Sequence, residues 1–193
     1  MTRPYTLGKR AESQAATRRR IVEAAIDLHG TLGPARTTFS QVAERAGVQR
    51  HTLYAHFPDE RSLLLACSGH YAECNPMPDP APWRAIADPA QRLAAGLTAI
   101  YAWFAANAAM VAAVLRDIEQ HAPTREAFEL RHGRVIAEIR AVLAEGLPPG
   151  QARLLPVALN FHCWRSLAAE AGLAPEEAAA AMARAVLAQP PEG

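Results

Sequence analysis

The stretch "TTFSQVAERAGVQRHTLYAHF", residues 37–57, holds two short helical patterns on either side of one glycine. Thr38 followed three residues later by Gln41 is a capping box, so a helix starts at Thr38 and turns Val42, Ala43 and Ala46 to one side. Gly47 ends it, because a chain that stops one helix and restarts at once needs a positive φ, which glycine adopts most cheaply. Ala43, four residues earlier, is small enough for a second helix to cross close by. That second helix would bury Val48, Leu53 and Phe57 and turn Gln49, Arg50, His51, Thr52, Tyr54 and His56 outward. Two crossing helices with this turn form a helix-turn-helix, and the outward residues supply donors of the kinds used on base edges and phosphates.

Charge along the chain favours the same partner. Net charge is only +1, yet residues 1–61 carry ten Lys and Arg against six Asp and Glu, whereas residues 62–193 carry ten against thirteen. Within the first 20 residues Arg3, Lys9, Arg10, Arg18, Arg19 and Arg20 face only Glu12, a basic arm suited to a phosphate backbone or a minor groove. No apolar run reads as long enough to span a bilayer, and the N-terminus lacks the apolar stretch of a secretory signal, so a cytoplasmic location is expected. Cys67, Cys74 and Cys163 form no CxxC pair and are expected to be reduced thiols with packing roles.

Every long segment has helical period, so the fold class is all-α. A first helix is expected from Thr17 to about Leu32, ended by Gly33-Pro34, with Ile21, Ala24, Ala25 and Leu28 as its apolar stripe. After the helix-turn-helix, a fourth helix runs from about Asp59 to Glu73. "NPMPDPAP", residues 75–82, has four prolines in eight residues and reads as an extended linker. A fifth helix begins at Asp88-Pro89, a sixth covers "AAMVAAVLRDIEQH" and a long seventh runs to "GLPPG". "QARLLPVALNFHCWRSLAAEAG" reads as an apolar eighth despite Pro156, and a ninth opens at Pro175.

The segments "RRRIVEAAIDLHGTLG", "TTFSQVAERAGV" and "TLYAHFPDERSLL" resemble, in order and spacing, the N-terminal signature of the TetR family of bacterial transcriptional regulators, over about Arg18 to Leu65. That resemblance implies an N-terminal three-helix DNA-binding unit, residues 1–58, and a C-terminal helical ligand-binding and dimerisation domain, residues 59–193. The DNA-binding set it supports is Thr38, Gln49, Arg50, His51, Thr52, Tyr54 and His56. Arg50 and His51, at the N-terminal end of the recognition helix, are first choices for reading bases; Thr52, Tyr54 and His56 suit phosphates. Three positions depart from the family pattern. His29 stands where it usually has Phe, Gln49 replaces a Ser-like cap at a cost of about 1 kcal/mol, and Glu60 replaces a phosphate-supporting Lys, for which Arg61 is the nearest substitute.

The same resemblance implies a pocket among the fifth to eighth helices, lined by Trp103, Phe104, Phe128, His132 and Phe161. So few polar groups favour a small apolar effector. The eighth helix, with Leu154, Leu155, Val157, Ala158, Leu159, Phe161 and Trp164, is too apolar for one solvent face; with the alanine-rich ninth it resembles the pair that builds a four-helix homodimer interface. The expected partners are double-stranded operator DNA, the effector and a second copy of the chain, with no membrane. His121, His132, His162, Cys163 and Glu119 show no HExxH, GxSxG or CxxC spacing, so neither catalysis nor a metal or cofactor is expected. The competing reading is a DNA-binding architectural or partner-binding module without an effector.

Overall fold

The computed structural model describes residues 5–189, with side chains from Arg10 onward, and divides the chain into two compact units. Residues 1–74 and 112–131 make the first; 75–111 and 132–193 make the second. Among the described residues ten α-helices occur: α1 Tyr5–Thr31, α2 Phe39–Ala46, α3 Arg50–His56, α4 Glu60–Cys74, α5 Pro89–Asp117, α6 Ala122–Ala144, α7 Pro149–Ala152, α8 Leu155–Ala158, α9 Phe161–Arg165 and α10 Pro175–Leu187. No strand occurs among the described residues.

In the first unit α1 packs against α2 and α4, and α2 against α3. Ile21, Val22, Ala24 and Ala25 of α1 meet Val42, Ala43 and Ala46 of α2, Leu53 of α3, Phe57, and Leu63 and Cys67 of α4 in one core. Helix α1 starts twelve residues before the expected Thr17, since "AESQAA" is built of residues that lose little by being helical. Gly33 stops it at φ 96° and ψ 154°, and a short 3₁₀ turn, Pro34–Arg36, leads to α2. Residues 112–131 hold this unit through polar links. The Asp117 carboxylate accepts from the Ala35 N–H (3.0 Å) and from Arg116 Nε (2.9 Å), and Arg116 Nη2 donates to the Leu32 carbonyl (2.7 Å). Arg131 Nη2 donates to the Leu65 carbonyl (3.0 Å).

The second unit gathers Leu93, Leu97, Ile100, Tyr101 and Phe104 of α5 with Ile139, Val142 and Leu143 of α6, Leu155, Ala158, Phe161 and Trp164 further on, and Ala178, Ala179, Ala183 and Val186 of α10, all buried. The proline-rich stretch does not behave as a free linker. A 3₁₀ turn, Ala81–Ala85, buries Trp83, Asp79 Oδ1 accepts from the Ala81 N–H, and the Asn75 carbonyl accepts from Trp103 Nε1 (3.1 Å). Prolines suit the open end of such a turn, where an N–H would have no partner.

Helices five and six of the sequence reading are one 29-residue α5. Asn107 does not break it, because its side-chain amide donates to the Trp103 carbonyl one turn back (2.8 Å). The fusion also overturns the expectation about apolar length: α5 is long and apolar enough to cross a membrane by length and composition. Its buried residues from Leu93 to Phe104 belong to the core of the second unit, and its buried Ala113 and Asp117 to the first. The eighth helix is broken into α7, α8, α9 and a π-helical turn, Ser166–Glu170. Pro156 cannot continue a ladder begun before it, and Asn160 opens a new helix by accepting from the His162 N–H (2.8 Å).

Cys67 fits its packing role: buried beneath α1, its thiol is pushed up to about 12 by desolvation. Cys74 does not, being exposed with its Sγ 3.9 Å from His70 Nε2.

Candidate nucleic-acid interface

Thr38 accepts from the Gln41 N–H (3.3 Å) while Gln41 Oε1 accepts from the Thr38 N–H (2.8 Å), so both halves of the capping box form and α2 starts where the sequence places it. Gly47 adopts φ 63° and ψ 39°, and the Val48 N–H returns to the Ala43 carbonyl (2.9 Å), which closes α2 and aims α3 across it. A β-carbon at this φ is strained, so the turn itself selects glycine. Leu53 is fully buried and Phe57 nearly so, anchoring α3 by its inner face.

The outer face then stands in solvent. Gln49, Arg50 and His51 are exposed at the N-terminal end of α3, Thr52 and His56 are half-buried, and Tyr54 is 47% exposed. Arg50 forms no ion pair with a carboxylate among the described residues. The Tyr54 ring lies 5.1 Å from that of Phe39 on α2, which fixes the direction in which its hydroxyl projects. Gln49 provides no side-chain cap, as its replacement of a Ser-like residue suggests. The basic arm falls partly outside the description: Arg3 lies outside the described residues and the Lys9 side chain is not described. From Arg10 to Arg20 the arm is the exposed first half of α1.

The start of α4 is acidic. Asp59 caps it by accepting from the Ser62 N–H (2.7 Å), and that bond together with the Ser62 hydroxyl holds its carboxyl below the usual range. Glu60 Oε1 is 3.2 Å from His121 Nε2, whose other ring nitrogen lies 2.7 Å from Thr124 Oγ1. Arg61 does not stand in for the missing lysine: both oxygens of Glu126 bind its guanidinium. At this helix end Glu60 and Arg61 are thus both engaged inside the first unit, Arg61 in an ion pair with Glu126 and Glu60 beside His121. A feature the sequence reading missed lies beside α3: the Arg18 guanidinium sits 4.7 Å over the Phe57 ring. The only signal for it was the spacing of Arg18 one turn before the buried Ile21.

In the second unit, four of the five residues expected to line a pocket come together. Trp103 and Phe104 ring centroids are 5.8 Å apart, Phe104 and Phe161 5.4 Å, and Trp103 and His132 6.5 Å. Trp164 joins them 5.7 Å from Phe104, and its buried Nε1 has no hydrogen-bond partner among the described residues. The Tyr101 hydroxyl donates to the Ala158 carbonyl (3.0 Å). Phe128 belongs to the first unit. His121 and Glu119 also lie in the first unit and His132, His162 and Cys163 in the second, and no three His, Cys, Asp or Glu side chains among the described residues are placed to share a metal ion.

Residues 21–67 match the family described as bacterial regulatory proteins, tetR family. Over 61 residues the chain is 36% identical to the HTH-type transcriptional regulator RutR of Escherichia coli K12, a match that covers 32% of this chain and 29% of that protein. The fold extends further. A linker-substituted mutant of HlyIIR superimposes with a TM-score of 0.68 over 91% of this chain and 100% of its own at 16% identity, and NalD of Pseudomonas aeruginosa, the secondary repressor of the MexAB-OprM multidrug efflux pump, with 0.63 over 91% and 95% at 22% identity.

Proposed function

We propose that this chain, whose residues 21–67 match the TetR family, is a DNA-binding transcriptional regulator of that kind, a repressor that leaves a palindromic operator when a small apolar ligand binds. The observation that carries the reading is α3: held by Leu53 and Phe57 inside, stopped from merging with α2 by Gly47, and presenting Gln49, Arg50, His51, Thr52, Tyr54 and His56 outside. The likeness in fold to a repressor such as NalD supports the repressor role, and DNA places its site of action in the cytoplasm. In functional terms residues 1–58 are the reading head and residues 59–193 the effector and dimer domain.

Sequence selection from random DNA by the full-length chain tests this directly. Arg50→Ala should weaken the selected site by about 1 to 3 kcal/mol and relax preference at one base position, whereas Tyr54→Phe should weaken all sequences alike if its hydroxyl binds phosphate. An Arg50→Ala protein with unchanged affinity and base preference sinks the assignment.

The aromatic cluster around Trp103, Phe104, His132 and Phe161 supports an apolar ligand, and the unpartnered Trp164 N–H supports one that carries a hydrogen-bond acceptor such as a carbonyl. An effector that releases DNA tens-fold has about 2 kcal/mol of coupling, and DNA must weaken that effector by the same factor. Titration of the effector against free and operator-bound protein measures both sides; equal affinities exclude it as the inducer.

Two copies must place their α3 helices in major grooves one helical turn apart, which a twofold dimer through the last helices achieves. Trp164 is buried within its own chain against Phe104 and Phe161, so a charge there tests folding. Val157, 47% exposed on α8, and Ala185, exposed on α10, are the sites that test association. Val157→Asp with Ala185→Glu should yield a folded monomer by light scattering; a wild-type monomer at micromolar concentration would contradict the dimer.

A further inference from the structure

We propose that Arg18, Gln14 and His56 form a phosphate site that grips the DNA backbone beside the sequence read by α3; the proposal rests on the DNA-binding reading above. These three side chains line one groove between α1 and α3, whose remaining walls are the small residues Ala15 and Ala55. All three can donate hydrogen bonds, and no carboxylate lines the groove. Arg18 is also the arginine of this region whose charge is both fixed and unspent. Arg19 is paired with Glu23, Arg45 with Asp27 and Arg61 with Glu126, while Arg18 forms no ion pair with a described carboxylate and is held 4.7 Å over the Phe57 ring. A cation stacked on a core aromatic loses little side-chain freedom when it binds an anion, and guanidinium is the group best matched to phosphate.

Position favours a DNA phosphate over a free one. His56 follows Arg50 by six residues, about 9 Å along the helix axis. The major groove is about 12 Å wide, so when the Arg50 end reaches base edges the His56 end lies at the groove wall, where the phosphates run. Gln14 and Arg18 come from α1, which continues back to Tyr5 with Arg10 one turn before Gln14, so the contact extends along the flank.

The test uses a duplex selected from random DNA by the wild-type chain, in a long form and in one trimmed to the two half-sites. On the long duplex Arg18→Gln should flatten the plot of log affinity against log salt by about 0.9 per bound chain, so the wild-type advantage shrinks roughly 3- to 4-fold per chain between about 50 and 200 mM KCl. Base preference should not move, and the two proteins should bind the trimmed duplex alike. Gln14→Glu, which leaves the Arg18–Phe57 stack intact, should show the same loss and guards against an Arg18 variant that folds poorly. The proposal is overturned if both variants keep the wild-type slope, if base preference changes, or if the difference survives trimming. Potassium phosphate replacing KCl at equal ionic strength, if it displaces wild type but not Arg18→Gln, marks a free-anion site and overturns it as well. Wild type that binds no duplex defeats this proposal and the regulator reading together; normal binding with unchanged variant slopes defeats this one alone.

Discussion

Gly33→Ala is expected to destabilise the chain by roughly 3 to 4 kcal/mol, a large share of the stability of a domain this size. Gly33 sits at φ 96° and ψ 154°, a region that only glycine enters freely and that costs another residue about 1 to 3 kcal/mol. The space is also taken. A β-carbon there would fall 2.5 Å from Asp117 Oδ2 and closer still to Arg116 Nη2. The arginine end can swing away, but only by giving up the Leu32 carbonyl, and a hydrogen bond to a charged group is worth about 1.5 to 3 kcal/mol. Asp117 has less freedom. Its short side chain is 6% exposed and holds the Ala35 N–H, so displacing it breaks that bond and moves a buried charge off its partners. Chemical denaturation measures the loss. Arg116→Ala in the same chain should recover part of it and show coupling between the two positions; a Gly33→Ala protein within 1 kcal/mol of wild type, which is about the smallest strain expected, would show that the backbone here is not constrained.

The same neighbourhood explains why some of the fold was legible in the sequence and some was not. The capping box at Thr38 and Gln41, the left-handed Gly47 and the inner face of Val42, Ala46 and Leu53 are set by residues within a few positions of one another, so local chemistry decides them. Asp117 meets Ala35 across 82 positions and Arg61 meets Glu126 across 65, and neither pairing leaves a periodic trace. Sequence reasoning therefore offered Arg61 to DNA when a carboxylate on another helix claims it. The sequence reading opened a new helix just after Asn107, but a bond from its amide to the carbonyl one turn back makes it an ordinary residue of one continuous α5. The candidate ligand cluster divides the same way. Trp103 and Phe104 are adjacent in sequence and Phe161 and Trp164 lie one turn apart, so their local pairing is readable, but that the two pairs meet is a fact of packing.

His29 makes acid a specific threat to the reading head. It occupies an inner position of α1 at 6% exposure, where the resemblance to the TetR family leads one to expect phenylalanine. Burial holds its imidazole neutral and pushes its pKa down to about 4; the carboxylate of Asp117 opposes this and the nearby His121 adds to it. In the unfolded chain the same ring takes a proton near 6.5. Between those values the unfolded state binds the proton and the folded state refuses it, so stability is present above pH 6.5 and is lost as pH falls toward 4. At 1.36 kcal/mol per pH unit the loss is about 3 kcal/mol. Asp117 works in a different window. Burial raises its carboxyl, but the Arg116 hydrogen bond, the Ala35 N–H and the charges of Arg116 and Arg36 outweigh that, so its pKa lies below 3.8 and its contribution is lost only at still lower pH. Denaturation at a series of pH values should therefore show a fall between pH 6.5 and 4 that His29→Phe removes, leaving the steeper fall below pH 4 in place. If the wild-type and His29→Phe curves run parallel through that window, the imidazole is not excluded from water, and the packing of α1 against residues 112–131 is looser than its polar links imply.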